Sequence, residues 1–113
     1  MIWSLALTKN AWPGFNKNFH GFGGEEGYIH EKFRQNGQRT LCLPFLRWLH
    51  RFARPNGVPY RLNWEDRIHN YIVGFRDLDL DTQPIIDHFR EHLGEDTTNR
   101  ITRKLTKQLE IKL

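Results

Sequence analysis

A chain of 113 residues, 38% apolar and 13% aromatic, is long enough to bury one core without staples and too apolar to be disordered. Its lone cysteine, Cys42, excludes an internal disulfide and points to a reducing, cytoplasmic setting, while no apolar run approaches the roughly twenty residues of a membrane span. The net charge of +4 conceals a partition: residues 32–64 hold seven Lys and Arg and no acid, residues 65–96 hold nine acids against three Arg, and residues 97–113 hold five bases against Glu110.

In chain order, residues 2–7 are apolar and weakly periodic. They read as a first structural element, a short strand rather than a signal peptide, because no basic region precedes them. Residues 10–28 hold five Gly, one Pro and three Asn, a composition that forbids a regular element. Trp12, Phe15, Phe19 and Phe22 lie in the same stretch, and rings left in water are costly. An ordered loop pinned by its aromatics is expected. Residues 28–35 suit a short helix, closed by the turn signal Asn36-Gly37.

Residues 38–54 carry Leu41, Phe45, Trp48, Leu49 and Phe52 at spacings of three and four, with Arg47, His50, Arg51 and Arg54 opposite. The pattern predicts an amphipathic helix over about 43–54, starting near Pro44 and packing its apolar stripe on the body. Cys42, between Leu41 and Leu43, is expected to be buried. Pro55-Asn-Gly-Val-Pro59 is a stop and turn.

Asn63 is a good N-cap for a helix over 64–77, with Glu65 and Asp66 matching the dipole of its first turn. Trp64, Ile68, Tyr71, Ile72 and Phe75 form its stripe, and Gly74 marks a close approach to a neighbouring element. A third helix over 83–93 is capped at Thr82-Gln-Pro84, turns Ile85, Ile86, Phe89 and Leu93 inward, and stops at Gly94. A fourth, capped by Asp96 or Thr97 and running to about 111, sets Ile101, Leu105 and Leu109 against a basic side of Arg100, Arg103, Lys104 and Lys107. The expected fold is mainly α: a small single-domain bundle of about four helices, with residues 1–37 irregular but ordered and residues 38–113 as the helical body.

No catalytic signature appears. His88 and His92 have the i, i+4 spacing of two metal ligands, but no HExxH supplies the rest. Asp77, Asp79 and Asp81 alternate without the Gly and Glu of a calcium loop. Neither a metal nor a cofactor is expected. Segregated charge, rich in arginine and interleaved with rings, is what phosphate contact and base stacking require. With no zinc-finger spacing, RNP motif or short helix-turn-helix connection, binding should be backbone-directed, to RNA or single-stranded DNA. The leading expectation is a non-enzymatic nucleic-acid-binding protein, a small subunit of a ribonucleoprotein or a phage or defence assembly. Arg47, Arg51, Arg54, Arg61, Arg100, Arg103, Lys104 and Lys107 would meet phosphates. The first alternative is a protein–protein module or homo-oligomer joining basic to acidic blocks. The second is a small ribonuclease using His20 or His30 with Glu25, Glu26 or Glu31.

Overall fold

Asn63 ends an extended stretch, and its side-chain oxygen accepts the Asp66 N–H at 2.6 Å. This cap satisfies one of the unpaired donors of a helix start. Helix formation follows at once. The computed structural model describes residues 6–49 and 53–112. Within them lie a 3-10 turn, Lys9–Ala11, and four helices: α1 (Glu25–Gln35), α2 (Trp64–Asp77), α3 (Gln83–Leu93) and α4 (Glu95–Lys112). No strand occurs among the described residues, and the fold is a small all-helical bundle as the periodicity predicts.

Helices α2, α3 and α4 share one core. Ile68 and Ile72 of α2, Phe89 of α3 and Ile101, Leu105 and Leu109 of α4 close on each other, with Tyr71, Ile85 and Leu93 at the margin. A second cluster joins α1 to the end of α2 through Tyr28, Ile29, Phe33 and Leu78. Phe19 packs against both. It reaches them because Gly74 has no side chain: a Cβ there would lie 3.1 Å from Tyr28 and 3.2 Å from Phe19. The close approach expected at Gly74 is therefore real, and the glycine joins the two clusters. Tyr28 also donates its hydroxyl to the Asp77 carboxylate. Burial, reinforced by that hydrogen bond and charge, pushes the Tyr28 hydroxyl well above its ordinary value.

The loop before α1 is ordered by polar contacts as much as by rings. Buried Asn70 accepts the His20 N–H at 3.0 Å and donates to the carbonyls of His20 and Gly23, both at 2.9 Å. Its amide therefore replaces a strand partner for a backbone that cannot form one. Phe15 stacks at the edge of Trp12 and meets Phe19, which meets Tyr28. Only the inner end of this ring series is covered, since Trp12 and Phe15 are exposed.

The largest correction concerns the amphipathic segment. No helix forms at residues 43–49 or 53–54, and residues 50–52, which include Arg51 and Phe52, lie outside the described residues. The stripe expected in the core is exposed, Phe45 at 75% and Leu49 at 85%, with Leu41 and Trp48 exposed too. Cys42 is exposed rather than buried. The physical cause is the want of a partner face: the apolar faces of the four helices are already spent on one another. An isolated helix of about twelve residues is marginal in water without a surface to pack on. The radius of gyration, 16.1 Å, exceeds the roughly 13 Å of a tightly folded chain of this length.

Smaller differences are local. The expected strand at residues 2–7 falls largely outside the described residues, and residues 6–8 form no regular element. Helix α1 begins at Glu25, three residues before the expected start at Tyr28, and ends at Gln35 as expected. At α3, Asp81 rather than Thr82 does the capping, its carboxylate accepting the Gln83 N–H at 2.9 Å. Gly94, at φ 83°, stops α3 as expected, and α4 begins immediately after it, two residues before the predicted start.

Candidate nucleic-acid interface

The first turn of α2 is where the exposed segment, the aromatic loop and α4 meet. Each of its residues is committed to a different neighbour. The Glu65 carboxylate receives Lys104 of α4 at 2.7 Å and Arg100 at 3.5 Å. Asp66 lies 3.0 Å from Nδ1 of His20 in the loop and also accepts the Asn63 amide at 2.9 Å. The Arg67 guanidinium sits over the Trp64 ring, 5.6 Å from its centre, and Trp64 turns an edge to Phe89 of α3. Upstream of the cap, Tyr60 stacks on Phe22 of the loop, with centroids 5.5 Å apart and planes 19° from parallel. Both rings are nearly half exposed.

The electrostatics at Glu65 follow from this geometry. A hydrogen bond from Lys104, backed by the charges of Lys104, Arg100 and Arg61, outweighs partial burial and holds the carboxyl below its usual range. Arg103 and Lys107 are exposed beside them, and with Asp96, Asn99, Arg100 and Lys104 they line a shallow open depression along α4.

The expected phosphate contacts thus divide. Arg100, Arg103, Lys104 and Lys107 come together along α4 beside the α2 start, while Arg61 is exposed in the stretch that leads into α2. Arg47 and Arg54 are exposed on the irregular segment, as single cations between apolar residues rather than as one helix face. Arg51 lies outside the described residues. Lys32 and Arg34 leave the basic block: Lys32 donates to the Gly14 carbonyl at 3.2 Å and lies over the Tyr28 ring, and Arg34 pairs with Glu31.

The histidines take structural positions. The His69 ring is buried against His20, centroids 4.1 Å apart, with its Nε2 2.9 Å from the Asn18 carbonyl oxygen. Together with the Asn70 amide this arrangement latches the loop to α2. His88 and His92 stack on each other, and Nδ1 of His92 lies 2.9 Å from the His88 carbonyl oxygen. Among the described residues no group of three or more His, Cys, Asp or Glu is placed to hold a metal ion, and no described helix is long and apolar enough to cross a membrane.

Sequence reasoning missed Glu65 as the hub of the basic cluster, the Phe22–Tyr60 stack and the Asn70 latch. Glu65 follows directly on an acid-free run of 33 residues, and that abrupt change of sign was the available signal. The latch had none, because one Asn on a helix says nothing about a loop 50 residues away. No family model matches the chain, and no curated protein or solved structure matches it.

Proposed function

We propose that this chain is a non-enzymatic protein that binds RNA or single-stranded DNA through the backbone, with the irregular segment and the α2–α4 junction as its contact surface. One observation carries the reading. Residues 38–62 expose arginines and large rings together along their described length, with no acid among them. Unpaired guanidinium groups meet phosphates and exposed rings stack on bases, and neither contact needs a regular element behind it. The aromatic stack at Phe22 and Tyr60 lies next to Arg61 in the chain, so both kinds of contact are offered at one place.

Affinity for a labelled single strand should fall steeply with salt, by about 0.7 in logarithmic slope for each cation that touches a phosphate. Replacing Arg47, Arg51 and Arg54 together with Ala should weaken binding to all sequences alike and flatten that slope. A salt-independent or absent interaction would end the proposal. The same incubation tests the ribonuclease alternative, which requires the RNA to be cut.

A second reading rests on Leu41, Leu43, Leu46 and Leu49, which are exposed beside the arginines. Alkyl side chains do not stack on bases, and a contiguous apolar patch suits a protein surface. Light scattering in the absence of nucleic acid separates the two. An oligomer of the pure chain would favour the protein–protein module.

A further inference from the structure

Glu65 stands where a phosphate would. Its carboxylate is partly exposed, and it faces Lys104 at 2.7 Å and Arg100 at 3.5 Å. Both cations belong to the C-terminal basic block, and the acid they share is the first after the central one. The ion pairs lie at the surface, with Arg100 and Lys104 more than half exposed, so the contact contributes little to holding the helices together. A guanidinium and an ammonium directed at one two-oxygen anion are also the groups that receive a phosphate.

We infer that Arg100 and Lys104 form a phosphate subsite, and that the Glu65 carboxylate occupies it in the free protein. This deepens the nucleic-acid reading and rests on it for the identity of the natural ligand. An incoming phosphate displaces the carboxylate and takes over its cations, so the chain binds more weakly than its charge would allow. Asp66 and Asp87 are engaged elsewhere. Asp66 is held by His20 and Asn63, and Asp87 by Arg90 and Gln83.

The test is fluorescence anisotropy of a labelled oligouridine at low salt. It compares the wild-type chain with Glu65→Gln, Glu65→Ala and Asp96→Asn, the last removing one negative charge from the same depression. Both Glu65 variants should bind about three- to tenfold tighter, the scale set by two released surface ion pairs, and Asp96→Asn less than about twofold tighter. Adding Arg100→Gln and Lys104→Gln to Glu65→Gln should abolish the gain, because nothing is left to release. An equal gain from Asp96→Asn, or a gain that survives loss of Arg100 and Lys104, overturns the inference.

Inorganic tripolyphosphate separates phosphate recognition from base contacts. It should displace the oligonucleotide from the Glu65→Gln protein at lower concentration than from the wild type. If no form of the protein binds oligonucleotide, the nucleic-acid reading fails, but the subsite is still decided by thermal melting. A larger rise in Tm with tripolyphosphate for Glu65→Gln than for wild type supports it, and equal shifts overturn it.

Discussion

The stripe Trp64, Ile68, Tyr71, Ile72, Phe75 and the stripe Leu41, Phe45, Trp48, Leu49, Phe52 are spaced alike. The first folds as α2. The second, over its described residues, forms no helix and stays in water. Apolar periodicity is therefore a statement about which residues could share a face, and it becomes structure only where another face is available to cover them. Helix α2 has a cap at Asn63 and packs on α1, α3 and α4. Residues 38–62 have Pro44, Pro55 and Pro59 and a body whose two clusters are already closed by Phe19.

The contrast should be sharpest in stability. Ile68 is fully buried at the centre of the shared core, so Ile68→Ala should cost about 3 kcal/mol in urea unfolding. Phe45→Ala, which removes a larger side chain from the exposed stripe, should change stability by less than about 0.5 kcal/mol. Comparable losses from both would mean that the segment packs in solution after all. Next in size is Asn70→Ala. It strands the His20 N–H and two carbonyls, and should cost about 2 kcal/mol while raising amide exchange in the loop at His20 and Gly23 more than in α3.

Asn63→Ala should cost about 1 kcal/mol through loss of the helix cap. The smallest effect concerns pH. The Glu65 carboxyl is depressed below its ordinary 4.5, so its stabilising contact with α4 is complete above that value and is lost as pH falls through the lower folded-state value. Thermal melts of the wild type and Glu65→Gln should differ slightly at neutral pH and converge in acid, and a difference that widens in acid would reverse this assignment.

Much of the helical body was legible in the sequence. Helices α2 and α3 begin and end within a residue or so of where Asn63, Pro84 and Gly94 placed them, and the core residues Ile68, Ile72, Phe89, Ile101 and Leu105 follow from their spacing. Those signals are local, and caps and periodicity are read within a turn or two. The candidate site was half legible. Its basic residues stand out in the composition, and the meeting of Glu65 with Arg100 and Lys104 does not, because it joins residues about 40 apart. The helix expected at 43–54, which does not form over its described residues, has the same origin. Whether a partner face is free is a property of the whole fold, and nothing within the segment reports it.

The latch between Asn70 and the His20–Gly23 backbone has a topological result. Together with the packing of α1 on α2, it fastens both ends of residues 38–62 to one rigid body, so the segment is a closed loop and not a tail. Closing a loop depends only logarithmically on its length, and halving or doubling it changes the entropy by about 0.6 kcal/mol. The helical body should therefore tolerate wide variation in the length and composition of this loop. Selection can rewrite the contact surface, residue by residue or by insertion, without endangering the fold that presents it.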